Sequence, residues 1–134
     1  MKLHHVGIAV DSIVHHAEQY GRSLGIKLST DIVEDEIQRV RVAFASVGAD
    51  TFIEFVEPLD EMSPVTRLLK NGGGVYHLCY AVPDLDDAIA QVCREGGRLI
   101  QGPTPARAFG GRPIAWVYTS SRNLVEFLEE APPR

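Results

Sequence analysis

Apolar positions along this chain fall into short alternating runs, interrupted twice by a stretch with helical spacing, and the whole pattern is written twice. Sliding the sequence on itself by 72 places lays "VYHLCYAV" (75–82) over "LHHVGIAV" (3–10), so that His5 falls on His77, Ala9 on Ala81 and Val10 on Val82. Further on and without a gap, Gln19 meets Gln91, Arg22 meets Arg94, Gly25 meets Gly97 and Ala43 meets Ala115. Glu54, Phe55 and Glu57 meet Glu126, Phe127 and Glu129. Typical composition would produce roughly three such identities by chance over this span, and ten are present.

Each copy predicts a strand (3–10 and 75–82) followed by a helix. Ile13, Ala17, Tyr20 and Leu24 recur at helical spacing, as do Leu85, Ala88, Ile89 and Val92. Asp11-Ser12 supplies an N-cap in the first copy, and "PDLDD" a proline and an acidic first turn in the second. Gly25 and Gly96-Gly97 mark the helix ends. Three extended runs follow in each copy, at 26–33, 39–47 and 51–57, then at 98–101, 112–119 and 123–130. The unit is βαβββ, repeated. Two copies are too few to stack as a solenoid, so the expectation is one pseudo-symmetric α+β domain over 1–134. It comprises module one (1–58), a linker with a short helix (59–74) and module two (75–134).

Side chains alternate between the two faces of a strand. His5 therefore shares a face with Gly7 and Ala9, and His77 shares one with Cys79 and Ala81; these small neighbours leave room beside each imidazole. In "TFIEFVE" the same alternation groups Phe52, Glu54 and Val56, and in "NLVEFLE" it groups Leu124, Glu126 and Leu128. A carboxylate among apolar neighbours carries a heavy desolvation cost unless it is paired or metal-bound. Each copy holds one such histidine and one such glutamate, 49 positions apart. One divalent cation bound by His5, Glu54, His77 and Glu126 would satisfy all four. Two imidazoles with two carboxylates suit Ni, Co, Zn, Mn or Fe and not calcium. His4, His15 and His16 read as exposed strand-end and helix-surface residues, and Cys79 as a small filler.

The net charge of −5 and pI near 5.5 provide no basic stripe for a nucleic-acid partner. Cys79 and Cys93 form neither a CxxC motif nor a disulfide framework, and read as reduced thiols of a cytoplasmic protein. No apolar run approaches the length of a membrane span, and the first residues do not have the pattern of a signal peptide. "NGGG" precedes a strand and so is no phosphate-binding loop.

The segments "HHVGIAV", "IEFVEPLDEMSPVTRLLKNGGG", "YHLCYAV" and "LVEFLEE" resemble the signature segments of the vicinal oxygen chelate superfamily, which includes glyoxalase I and methylmalonyl-CoA epimerase. The resemblance covers nearly the whole chain. It implies two βαβββ modules forming a cup-shaped mixed sheet with helices outside and a metal within, held by His5, Glu54, His77 and Glu126. It further implies an enzyme that moves a proton next to a metal-chelated carbonyl, with Glu126 or Glu54 as base. The leading expectation is a glyoxalase I-like lyase or isomerase acting on a glutathione hemithioacetal. The alternative is a methylmalonyl-CoA epimerase-like enzyme acting on a thioester. Family members are mostly dimers, which implies a homodimer.

Three departures from the epimerase pattern stand in the sequence: "VYTSSRN" where epimerases often carry "HPK", Tyr76-His77 in place of a His-His pair, and Val42 where some carry a second glutamate. A non-catalytic ligand-binding protein of the bleomycin-resistance kind would not need all four ligands, and an extradiol-type dioxygenase would use three. Val42, Phe44, Phe52, Ile114, Trp116 and Leu124 are the expected lining of a substrate pocket. Arg41, Arg107 and Arg112 are candidates to hold an anionic tail, and the loop 101–113 is a candidate lid.

Overall fold

The computed structural model describes residues 1–131; positions 132–134, the end of the expected second module, lie outside the described residues. The chain divides into two compact units, one formed by His5–Tyr76 and the other by His77–Arg134 together with Met1–His4. The first carries β1 (Lys2–Ala9, from His5 onward), α1 (Ile13–Leu24), β2 (Val33–Asp35), β3 (Val40–Ser46), β4 (Phe52–Pro58) and α2 (Pro64–Lys70). The second carries β5 (Gly74–Val82, from His77 onward), α3 (Leu85–Arg94), β6 (Arg98–Ala106), a 3-10 turn (Arg107–Phe109), β7 (Arg112–Tyr118) and β8 (Leu124–Glu129). The fold is α+β, a βαβββ unit made twice.

Within the first unit the strands run in the order β2-β3-β4-β1, with β1 parallel to β4 and the other pairs antiparallel. Within the second the order is β5-β8-β7-β6, again with one parallel pair, β5 and β8. The registers match as well. Gly7 lies opposite Glu54 and Phe44 opposite Glu54; Cys79 lies opposite Glu126 and Trp116 opposite Glu126. A slip of one residue would send every side chain to the other face, so this shared register brings histidine and glutamate to the same face in both units.

Each helix packs on the opposite face of its own strands. Against α1 lie Ile8, Val10, Ala43, Ala45 and Phe55, with Ile13 and Tyr20 from the helix side. Against α3 lie Val82, Ala115, Val117, Val125 and Phe127, with Leu85, Ala88, Ile89 and Val92. Phe55 is 1% exposed, and burying a side chain of that size contributes about 1.5–3 kcal/mol. The expected start signals are realised: Ser12 Oγ accepts from His15 N (3.2 Å), and Asp86 and Asp87 make the first turn of α3 acidic; Asp84 adds a cap, its Oδ1 accepting from Asp87 N (2.9 Å). Gly25 closes α1 in the left-handed conformation, φ 68°. The linker forms α2 as expected, with Ser63 as its N-cap and Pro64 in its first turn.

Two extended runs differ from expectation. Residues 26–32 form no ladder strand: a single bridge joins Leu28 to Ala45, and β2 is confined to Val33–Asp35. One backbone bond remains there, Ser29 N donating to Phe44 O (2.8 Å), and hydroxyls supplement it. Ser29 Oγ donates to Phe44 O (3.1 Å), and Thr30 Oγ1 accepts from Phe44 N (2.9 Å). Conversely, β6 does not stop at 101 but continues to Ala106, so most of the expected lid is strand and only the turn around 107–111 is not. "QGPTPA" is tolerated because β6 is an edge strand and its pairing with β7 shifts register twice, between Leu99 and Gln101 and between Gln101 and Thr104. Edges and bulges are where a sheet accepts proline.

Candidate metal centre

The two histidine–glutamate pairs are built alike. In the first unit His5 Nε2 lies 3.3 Å from Glu54 Oε1, with the side chains 0% and 8% exposed. In the second His77 Nε2 lies 3.2 Å from Glu126 Oε1, at 1% and 4% exposure. Each imidazole meets an aromatic edge: Phe44 at 5.3 Å between centroids for His5, and Trp116 at 4.6 Å for His77. Phe44 and Trp116 are themselves 72 positions apart, so the aromatic support is part of the repeat.

The donor set fits a divalent cation. Charge-assisted N–H···O bonds are typically about 2.7–2.9 Å long, shorter than either contact. Nitrogen and oxygen ligands sit about 2.0–2.2 Å from zinc. Two such donors at right-angled or tetrahedral positions stand roughly 2.8–3.5 Å apart by that same geometry. Both observed spacings fall within this range. All four residues are of types able to ligate a metal ion, and within each unit the histidine and glutamate stand at ligand spacing.

Of the expected lining, Val42, Phe44 and Ile114 are buried, while Phe52, Trp116 and Leu124 are half-buried. Phe52 also meets Phe44, at 6.1 Å between ring centroids. Cys79 is fully buried, two residues beyond His77 on the same face, and packs with Ala106, Ile114 and Leu128. His4 departs from the expected exposed position: it is half-buried, with its ring edge-on to Phe109 at 5.4 Å. His16 is half-buried as well, near Phe55 and Asp11, whereas His15 is exposed as expected. No simple sequence signal marks His4, because its aromatic contact comes from a turn more than a hundred positions away.

Arg41 donates to Glu34 (2.9 Å) and to Glu57 (2.9 Å), and those bonds, Glu34's first, raise its pKa above the ordinary value. Arg112 donates twice to the carbonyl of Glu129, at 3.2 and 2.8 Å. Both are therefore committed within their own unit. Arg107 is exposed on the 3-10 turn.

Residues 4–116 match the model of the glyoxalase/bleomycin resistance protein/dioxygenase superfamily. The chain belongs to this superfamily. Among curated relatives, the ethylmalonyl-CoA/methylmalonyl-CoA epimerase of Cereibacter sphaeroides is 32% identical over 129 residues, covering 93% of this chain and 95% of that protein. Among solved structures, methylmalonyl-CoA epimerase from Mycobacterium tuberculosis superposes with a TM-score of 0.84 at 31% identity, over 97% of this chain and 88% of that one. A methylmalonyl-CoA epimerase solved with methylmalonyl-CoA and ammonium superposes with a TM-score of 0.82 at 28% identity, over 97% of this chain and 94% of that one. These relatives are epimerases of acyl-CoA thioesters. They favour the alternative expectation over the glyoxalase I-like one, which gains nothing from them beyond the shared superfamily. Among the described residues no helix is long and apolar enough to cross a membrane.

Proposed function

We propose that this protein is a divalent-metal-dependent methylmalonyl-CoA epimerase, with His5, Glu54, His77 and Glu126 sharing one cation. The observation that carries this reading is the pair of near-identical buried histidine–glutamate contacts, one in each unit, in a chain whose relatives epimerise malonyl thioesters. When bound, the cation polarises the thioester carbonyl and stabilises the charge that develops on its oxygen.

The chain's own residues do the proton work. Epimerisation removes the proton from the α-carbon and returns one to the opposite face. On the ligand side of each unit the neighbouring strand positions are Val42 and Phe44, or Ile114 and Trp116, and none of these can accept a proton. Cys79, a ligand-side group that can carry a proton, is sealed in an apolar cluster, so the two glutamates are assigned as the bases. Glu126, as the carboxylate, would take the α-proton, and Glu54, its counterpart in the other half and entering the step as the carboxylic acid, would return one to the opposite face; exchange with solvent then resets both. Val42 stands where some epimerases carry a second glutamate, which puts that duty on Glu54. Phe44, Phe52, Trp116 and Leu124 exclude water and so strengthen every charge interaction around the reacting carbon.

The test is turnover of methylmalonyl-CoA by metal-reconstituted protein in D2O. Deuterium should enter at the α-carbon and the stereochemistry should scramble. Protein carrying stoichiometric metal that neither exchanges the α-proton nor epimerises would overturn the proposal. The methylglyoxal–glutathione hemithioacetal, run in parallel, should remain unconverted.

A further inference from the structure

Four fully buried residues, Cys79, Ala106, Ile114 and Leu128, form an apolar cluster in the second unit. Strand alternation puts it on the ligand side, since Cys79 lies two residues beyond His77, Leu128 two beyond Glu126, and Ile114 two from Trp116. Two half-buried rings pack on it, Trp116 and Phe109. Trp116 meets His77. Phe109 meets His4, the residue before His5. Both rings keep part of their surface open while the cluster beneath them has none.

Phe109 is not a flexible appendage. Its 3-10 turn is closed by Gly110 N donating to Arg107 O (3.2 Å) and Gly111 N donating to Ala106 O (2.9 Å), with Gly110 and Gly111 at φ 65° and 85°. Ala106, where the turn begins, is 1% exposed. The backbone that carries the ring is therefore pinned at the edge of the cluster on which the ring packs. The first unit has no counterpart to it: 72 positions earlier stands Ile37, 58% exposed to solvent. The repeat matches in its ligands but not in this wall.

We propose that Phe109 is a specificity-determining residue: with Trp116 it forms a one-sided apolar wall beside the His77–Glu126 pair that limits the size of the substituent on the substrate's α-carbon. The inference rests on the epimerase reading for its substrate class. Phe44 answers Trp116 in the other half, but nothing there answers Phe109, so a two-fold set of ligands becomes inequivalent to a substrate and one side of the α-carbon meets an additional ring. A single methylene against such a wall changes kcat/KM by roughly 10–200-fold.

The experiment compares kcat/KM for methylmalonyl-CoA and ethylmalonyl-CoA in wild type, Phe109→Ala, Phe109→Leu and Phe109→Trp, with Ile37→Ala as control. The ratio favouring ethylmalonyl-CoA should rise about tenfold or more in the Ala variant, rise less with Leu, fall with Trp and stay constant in the control. Phe109→Leu retains most of the packing, so it reports even if the Ala variant folds poorly. Ratios within twofold of wild type in metal-loaded Leu and Trp variants would overturn the inference. If wild type turns over neither thioester, the epimerase reading falls. The wall is then read from the dissociation constants of propionyl-CoA and butyryl-CoA, whose unchanged ratio across the variants would overturn it separately.

Discussion

Glu57 accepts a 2.8 Å hydrogen bond from the backbone N–H of Ile13, the first residue of α1. Seventy-two positions on, Glu129 accepts a 3.0 Å bond from Leu85, the first residue of α3. Each glutamate lies three residues beyond the glutamate of its histidine pair, on the same strand but the opposite face. One strand thus carries a candidate metal ligand on one side and the anchor of the packing helix on the other. A helix start offers unsatisfied N–H groups and a partial positive charge, so a carboxylate there is favoured on both counts.

Glu129→Ala should therefore lower stability by about 1–2 kcal/mol, the usual cost of a lost cap. Glu57→Ala should cost more, because Arg41 also loses one of its two carboxylate partners. Urea denaturation of the metal-free protein measures both. Equal effects would mean that the Arg41 contact adds nothing.

Replacing a member of either pair should remove the cation. His5→Ala, His77→Ala, Glu54→Gln and Glu126→Gln should each reduce bound metal, measured by elemental analysis after gel filtration. As the proposed direct ligands, each should on removal lower affinity by at least the roughly 10–100-fold seen when outer-shell partners are lost. Full metal retention in both members of one pair would confine the site to the other.

Chelation should abolish epimerisation, and added Co, Mn, Ni or Zn should restore it. Metal should also raise the unfolding midpoint, by about 2.7 kcal/mol of stabilisation at a free concentration 100 times the dissociation constant. Protons compete for neutral imidazole and for carboxylate, so affinity should weaken as pH falls. Calorimetric titrations at two pH values should show tighter binding, with proton release, at the higher one.

Gly97 sits where α3 turns into β6, and a Cβ there would lie 2.5 Å from Val92 Cγ1 and 2.7 Å from the carbonyl of Tyr118. The second of these is backbone and cannot rotate away. Gly97→Ala should destabilise by about 1–3 kcal/mol, the typical cost of forced overpacking. Thermal melts should show the loss, whereas Gly110→Ala, with nothing within 4 Å of its added Cβ, should show only backbone strain.

Much of this was legible in the sequence because the repeat acts as an internal check. A single histidine in a strand says little, but His5 and His77 with Glu54 and Glu126 at one shared spacing select a face, and the registers of β4 and β8 then pair them. The helix cap at Ser12 and the acidic first turn of α3 followed from residue chemistry alone. β6 was misjudged because glycine and proline signal a loop unless the strand is known to be an edge, and edges are set by tertiary pairing. Residues 26–32 look extended, yet Ser29 and Thr30 satisfy the backbone of Phe44 with side chains, which periodicity does not register. The choice between glyoxalase and epimerase chemistry is not legible in the sequence, and it is the relatives that favour the second. Both activities ask for the same ligands, and the residues that tell a hemithioacetal from a thioester carry no period.

The matched registers of the two units have a practical consequence for anyone altering this protein. Nearly every side chain on the ligand-bearing strands has a twin in an equivalent strand environment, so any substitution comes with its own control in the same molecule. Exchanging Phe52 with Leu124, or Phe44 with Trp116, keeps composition constant and tests handedness alone. An enzyme indifferent to such exchanges would be using its halves interchangeably, and one that is not would reveal which half faces which end of its substrate.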